Sequence, residues 1–275
     1  MKFAFNIPNF GTFADVETLV DLAVTAEAAG WDGFFLWDHV WSDDDTPFVD
    51  PWIALTAIAV ATRRIRIGTM VTPLPRRRPW TFARQTATLD HLSHGRLIAG
   101  VGIGGDGWRE YSAFGEDSDA KRHGAMLDEA LDVVTGLWSG EPFSYSGEHY
   151  TIDNARFLPT PRQQPRIPVW VAGFWPNKPP FRRAARWDGV FPIGKDQDMS
   201  PDDIRAMLEY IGQHRDADTP FDVAVNGRVY SLDDVEQPAS VADYDAAGVT
   251  WWMDVFTGDV PTSRVRAHIA QGPPS

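Results

Sequence analysis

The stretch Trp37-Asp38-His39-Val40-Trp41 holds the side chains best suited to moving a proton. Asp38 and His39 lie at and just past the end of an apolar run, Gly33–Trp37, that reads as a strand. A histidine at a strand end acts as acid or base near neutral pH, or is a structural imidazole hydrogen-bonded at a helix end. Trp41 is either a wall for a flat guest or a core side chain. A second stretch, Arg96–Gly107, contains Gly100-x-Gly102-x-x-Gly105. On paper that is a dinucleotide fingerprint, which should open the first strand–helix turn, lead straight into a helix and meet an acid about 20 residues on. Here it follows the fourth strand, and a polar stretch through Asp119 precedes the next helix. The dinucleotide reading fails on context. Glycine at a strand end also lets a planar ring or a phosphate approach the backbone, or it leaves a plain loop. Gly102, Gly104 and Gly105 are candidates for cofactor contact on that ground. So are Ala172, Gly173 and Phe174 at the end of the fifth strand, because backbone N–H groups in such loops make anion-binding concavities.

The elements that must position these residues alternate. Apolar runs that read as strands cover Lys2–Ile7, Gly33–Trp37, Ile65–Val71, Leu97–Val101, Val169–Ala172, Gly189–Phe191, part of Phe221–Tyr230, and Val249–Val255. Between and after them come helical patterns: Asp15–Ala29 with Gly30 as the stop, Asp50-Pro51 to Thr62, Pro79–Leu92, Ala120–Trp138, Pro180–Ala185, Ser200-Pro201 to Gln213, Ser240–Ala247 and Thr262–Ala270. Eight such pairs predict an α/β fold, a (β/α)₈ barrel with no domain boundary in residues 1–275. Residues 141–165 break the rhythm as an insertion between the fourth helix and the fifth strand, a hairpin turning at Ser146-Gly147 followed by proline-rich loop. Catalytic residues of such barrels sit at the C-terminal mouth.

Composition narrows the partners. A net charge of −13 repels phosphate backbones and argues against nucleic acid. The densest basic cluster, Arg76-Arg77-Arg78, reads as a local anion contact or a solvated loop. Absence of cysteine excludes disulfides, thiolate metal sites and a cysteine nucleophile. No apolar run approaches the length of a membrane span, and the N-terminus lacks a signal-peptide pattern, so no membrane partner and a cytoplasmic location are expected. Metal-dependent hydrolysis is disfavoured, since Asn6–Phe10 carries no histidine pair and His91 and His94 belong to the end of the third helix. Phe174, Trp175, Trp251 and Trp252 suggest an apolar or aromatic small-molecule substrate at the mouth, although core packing explains them equally.

Residues 79 to 105, PWTFARQTATLDHLSHGRLIAGVGIGG, resemble the signature of the luciferase-like monooxygenase superfamily. GWDGFFLWDHVW (30 to 41), RIRIGTMVTP (64 to 73), IPVWVAG (167 to 173) and AARWDGVFPIG (184 to 194) are similar to its other strands. The resemblance implies a barrel that holds FMN or the deazaflavin F420 across its mouth and moves hydride or activates oxygen, and it implies a homodimer. It implies that Asp38 lies near the ring, that His39 is the acid or base, and that Trp41 is a wall. It implies a non-proline cis peptide at Met70-Val71 beneath the ring, and places the cofactor's phosphate and side chain near Gly102, Gly104, Gly105, Ala172, Gly173 and Phe174. The match around Asp38-His39 and Met70-Val71 favours F420 over FMN. Ser93-x-Gly95-Arg96 is a family marker on the opposite face and reads as structural. Sugar-phosphate-oxidising members carry a phosphate-binding lysine at Lys195 and a glutamate where this chain has Gly105; that departure argues against their reaction, with Asp106 or Glu110 as possible replacements. The expectation is an oxidoreductase using F420 or FMN on a small organic substrate. A non-catalytic flavin-binding barrel is the alternative, and the retained Asp38-His39 speaks against it.

Overall fold

The computed structural model describes residues 1–195, 199–216, 218–231 and 240–274. In chain order the elements are β1 (Lys2–Ile7), α1 (Val16–Ala29), β2 (Gly33–Leu36), α2 (Pro51–Ala61), β3 (Arg66–Pro73), α3 (Pro79–Leu92), β4 (Leu97–Gly102), α4 (Ala120–Trp138), β5 (Phe143–Ser146), β6 (Thr151–Ala155), β7 (Val169–Trp175), α5 (Lys178–Ala184), β8 (Gly189–Gly194), α6 (Pro201–Gly212), β9 (Asp222–Tyr230), α7 (Val241–Ala247), β10 (Trp251–Phe256) and α8 (Thr262–Ile269). Among the described residues, eight parallel strands close a barrel in the order β1-β10-β9-β8-β7-β4-β3-β2, and β5 and β6 form a separate antiparallel pair. This is the (β/α)₈ architecture that the alternation predicted.

Helix starts follow their capping residues. The Asp15 carboxylate accepts from the Thr18 N–H at 2.8 Å, and Asp50 accepts from both Trp52 and Ile53 ahead of Pro51. Ser200 and Asp203 close a reciprocal capping box on α6. Gly30 ends α1 in the left-handed conformation, φ 92°. Two strands run longer than expected. β7 extends to Trp175 and β8 to Gly194, because pairing continues from Gly173↔Pro192 to Trp175↔Gly194. The inserted hairpin is held by α4, where the Glu129 carboxylate accepts from the N–H groups of Glu148, His149 and Tyr150.

Alternation along each strand sorts the core into two shells. Ala4, Phe35, Met70, Ile98, Trp170 and Trp251 fill the barrel interior, while the outward side chains meet the helices. Of the aromatics that suggested a mouth lining, three belong to the core. Trp251 fills the N-terminal end of the interior and bonds Asp222 at the start of β9, Trp252 packs on Tyr244 of α7, and Trp175 packs on Phe181 of α5. Phe174 alone stays open, at 50% exposure. Arg96 is a structural tie: its buried guanidinium donates to the carbonyls of Ala59, Thr62, Ile65 and Ser93.

The register slips by one residue at two places on the rim. Thr69 pairs with Ala99 but Thr72 with Val101, so β3 carries an extra residue at Met70–Val71. Met253 pairs with Asn226 but Val255 with Val229, so β9 carries one beside Gly227 and Arg228. In the order of the barrel these two strands are diametrically opposed. Such bulges bend a strand and re-aim its side chains, and they concentrate at barrel rims and active sites.

Strands β3 and β4 approach so closely that position 100 admits only glycine. A Cβ there would fall 2.0 Å from the Thr69 carbonyl oxygen and 2.9 Å from Met70 Cε. Gly100→Ala is expected to lose about 3 kcal/mol of stability and to lower the melting temperature by about 5–10 °C; a thermal melt followed by circular dichroism checks this.

Candidate active site at the C-terminal mouth of the barrel

Three segments that follow strand ends meet at one side of the mouth: residues after β2, after β3 and after β4. Asn9, after β1, fixes the first of them. Its fully buried amide donates to the carbonyls of His39 and Val49 and accepts from the His39 N–H. Backbone and side chain of His39 are therefore held separately.

The Asp38 carboxylate is enclosed and saturated. It accepts from Thr72 Oγ1 at 2.7 Å, from Trp52 Nε1 at 3.2 Å and from Arg77 Nη2 at 2.9 and 3.0 Å, with Arg76 Nη2 at 3.4 Å. Its side chain is 0% exposed. Arg76 then bridges to a second acid: Nη1 donates to Glu110 Oε1 at 2.8 Å, and Nη2 to the Asp38 carbonyl at 2.6 Å. The basic cluster is thus an anion contact, and the anions are the protein's own carboxylates.

Glu110 turns inward on His39. Its Oε2 lies 2.8 Å from His39 Nδ1, and its Oε1 also accepts from the Val40 N–H at 2.8 Å. Burial pushes the Glu110 carboxyl upward, but the bond and charge of His39, the Arg76 guanidinium and the Val40 N–H outweigh it and hold it below its ordinary value. With that carboxylate ionised, Nδ1 carries the hydrogen and Nε2 is left free of any partner among the described residues. The His39 side chain is 30% exposed. Trp108 lies on its ring at a centroid distance of 4.3 Å, and Phe10 meets it edge-on at 5.9 Å. Trp41 pairs instead with Phe114 and with the Arg109 guanidinium. Of the two acids named as stand-ins, Asp106 is used up as a turn cap, accepting from the N–H groups of Tyr111 and Ser112.

Next to the histidine's segment, at the ends of β3, β4 and β7, the rim is low and apolar. The Met70-Val71 peptide is cis. A Cβ on Gly102 would lie 3.0 Å from Val71 Cγ2 and 3.6 Å from Ala172 Cβ, so Val71, Gly102 and Ala172 border one small recess that any larger side chain would fill. A flat ring system fits such a ledge. Gly105 has open space around it. Two other glycines answer to the protein's own packing: Gly104, φ 70°, lets the loop close on Tyr111 and Pro73, and a Cβ on Gly173 would strike Pro180 of α5 at 2.2 Å. Phe174 stands exposed beyond Gly173, and Lys195 is exposed just past β8.

On the side of Phe10 and Trp108, the rings that touch His39, a cavity of about 390 Å³ is walled by these two and Phe48 and edged by Ser42, Asp43 and Asp44. Its outer edge is tied by the exposed Arg109–Asp43 ion pair at 2.7 Å. Among the described residues no group of three or more metal-ligating side chains converges, and no helix is long and apolar enough to cross a membrane.

Glu110 appeared in the sequence only as a possible stand-in, and Arg76, Arg77, Asn9 and Trp108 were not assigned to the site. A cluster of arginines just after a predicted strand that ends at the mouth was the available signal, because such a cluster beside Asp38 needs a second acid. The partner of His39 comes from 71 positions further along the chain, a pairing that no local pattern encodes.

The family model described as luciferase-like monooxygenase matches residues 1–269. An F420-dependent glucose-6-phosphate dehydrogenase of Microbacterium testaceum is 30% identical over 218 residues, covering 76% of this chain and 63% of that protein. The chain thus spans less than two thirds of that relative. A solved F420-dependent secondary alcohol dehydrogenase, in complex with an F420–acetone adduct, superposes with a TM-score of 0.80 at 16% identity over 96% of each chain. A monooxygenase from Streptomyces bottropensis gives 0.80 at 21% over 98% of each. At these identities the structural likeness speaks for the fold.

The lowered Glu110 carboxyl makes a signed prediction. A depressed group stabilises the folded state fully above its ordinary value of 4.5 and loses that contribution as pH falls through the lower folded value. Glu110→Gln should therefore destabilise by about 2 kcal/mol near neutral pH. The gap in melting temperature from the parent should close on acidification; a gap that stays constant contradicts the assignment.

Proposed function

The chain belongs to the luciferase-like monooxygenase family, and on that premise we propose that it is an oxidoreductase using F420, with FMN as the alternative, on a small organic substrate. The observation that carries the reading is a partly open imidazole whose Nδ1 is tied to a buried carboxylate and whose Nε2 has no partner among the described residues, beside a shallow apolar ledge. The cofactor would rest on Met70, Val71, Gly102 and Ala172, with Gly104, Gly105, Gly173 and Phe174 around its side chain. Bound there, a deazaflavin or flavin supplies the hydride chemistry or the oxygen activation.

The chain's own residues do the rest. His39 takes a proton from the substrate, or returns one, at Nε2. Glu110 fixes the tautomer and stabilises the imidazolium that forms when Nε2 gains a proton. Arg76 holds Glu110 in line, and its charge keeps that carboxyl ionised. Asp38, enclosed as it is, serves as a positioning residue that anchors Arg76 and Arg77 beneath the histidine. Trp108 and Phe10 exclude water from one face of the ring, and the cavity they wall takes the apolar body of the substrate. Trp41, joined to Arg109, borders this region. Departure from the sugar-phosphate pattern at Gly105, together with the acidic edge of the cavity, turns the reading away from anionic sugars. F420 is preferred because a relative 30% identical in sequence and a solved protein of the same fold are both F420-dependent.

The homodimer implied by the resemblance would form on α2, a helix apolar nearly all the way round. Its Ile53 and Val60 are 65% and 55% exposed and lie two turns apart on one face. Changing both to aspartate should convert a dimer to a monomer in sedimentation, with the fold unaltered by circular dichroism.

His39→Ala separates binding from chemistry. It should leave the affinity for F420 and FMN, read by fluorescence titration, within about twofold. Turnover should fall by about 10²–10⁴. Failure of the parent protein to bind either cofactor refutes the reading; unchanged turnover removes His39 from the mechanism.

A further inference from the structure

The barrel interior carries one polar contact that the chemistry above leaves unused. Asn6 of β1 and Asn226 of β9 meet across the intervening β10, with Asn6 Nδ2 donating to Asn226 Oδ1 at 3.1 Å. Asn6 follows Ala4 on the inward face of β1, and Asn226 follows Ala224 on the inward face of β9, so the pair caps the apolar filling of the barrel. Asn6 is 1% exposed, and its Oδ1 has no partner among the described residues. Asn226 is exposed. One amide is therefore shut in with an unmet acceptor, while its neighbour opens to the mouth with an unused Nδ2.

A buried amide oxygen without a donor carries its full desolvation penalty, whereas a ligand that supplies the donor removes it. The backbone is also arranged around this point. The extra residue of β9 sits directly after Asn226, and Gly227 is obliged to be glycine because a Cβ there would lie 2.0 Å from the Trp252 ring. β9 faces β3 across the barrel, and β1 faces β7. The two asparagines thus lie across the mouth from the ledge of Val71 and Ala172.

We infer that Asn6 and Asn226 form a subsite for a neutral group of the organic substrate that both donates and accepts a hydrogen bond, a carboxamide or a hydroxyl. The inference rests on the cofactor seat proposed above, which leaves this side of the mouth to the substrate. As oriented, the pair offers one acceptor, Asn6 Oδ1, and one donor, Asn226 Nδ2. Reversing both amides together still offers one of each, so the complementarity does not depend on how oxygen and nitrogen are assigned. A carboxylate has nothing to give the acceptor, an ammonium nothing to take from the donor, and an ester or ketone satisfies one amide alone. A net charge placed against two amides and an apolar floor would also be left without a counter-ion.

The test uses the cofactor-loaded full chain and two probes of nearly equal shape, cyclohexanecarboxamide and methyl cyclohexanecarboxylate. Cofactor uptake is read first, by fluorescence quenching, in the parent protein and in Asn226→Leu and Asn226→Asp. Position 226 is exposed, so both variants are expected to fold, and a thermal melt verifies it. All three proteins should take up cofactor equally. Calorimetric titration should then give the parent an affinity for the amide about tenfold above that for the ester, since only the amide has a donor for Asn6 Oδ1, and should give both variants an affinity for the ester about tenfold below the parent's, since neither leucine nor aspartate has a donor for its carbonyl. An amide bound by the loaded parent no more tightly than the ester, or an ester affinity that does not change with residue 226, overturns the inference. Failure of the parent to take up cofactor is seen before any probe is added; it removes the seat itself and the inference with it.

Discussion

Two carboxylates and two guanidiniums are shut together at the mouth of this barrel, and the position of every other group there follows from that enclosure. Asp38 and Glu110 are 0% and 5% exposed as side chains, and Arg76 between them is 9% exposed. Removing an ion from water costs several kcal/mol, and close pairing is what offsets it. Neither acid has an alternative partner strong enough to replace Arg76 and Arg77. The segments after β2, β3 and β4 are consequently locked to one another, and His39 inherits its orientation from the lock. An imidazole held only by ring contacts would be free to turn; one held through Nδ1 by an ionised, immobilised carboxylate has a single nitrogen left to use.

The strands below this knot solve a different problem. Their interior must be filled without filling the mouth. Large rings occupy the lower layers, as with Phe35, Trp170 and Trp251, and the side chains shrink toward the rim at Val71, Gly102 and Ala172. The two opposed register slips, in β3 and in β9, fall where the filling ends. A fully regular barrel would continue its alternation upward; one extra residue on each of two facing strands re-aims the side chains that follow.

The architecture was largely legible from sequence because it is local. Caps such as Asp15, Asp50-Pro51 and Ser200-Pro201, and apolar runs of strand length, set most elements within a residue or two of where they lie. The strand ends of β7 and β8 were underestimated, since what prolongs them is pairing with each other and not their own composition. Asp38, His39, Gly102 and Ala172 could be assigned to the mouth because they sit at predictable strand ends, while Met70 and Val71 were singled out by the resemblance. Glu110 was named without its partner, and Arg76 without the carboxylates it joins, because each matters through a residue 34 to 71 positions away. Glycine was an ambiguous guide: at 104 and 173 it answers to Tyr111 and Pro180, at 102 to the close approach of Val71, and at 105 to open space.

The mouth carries ion pairs of two kinds. The inner ones are enclosed, while Arg109 and Asp43 on the outer edge are more than half exposed. Mobile ions screen the second kind and barely reach the first, over a Debye length of about 8 Å at physiological strength. Ionic strength is thus a selective lever on this molecule: concentrated salt loosens the flap of chain around Asp43 while leaving the imidazole in its place. A protein of this build would meet brine with an altered doorway and unchanged machinery behind it.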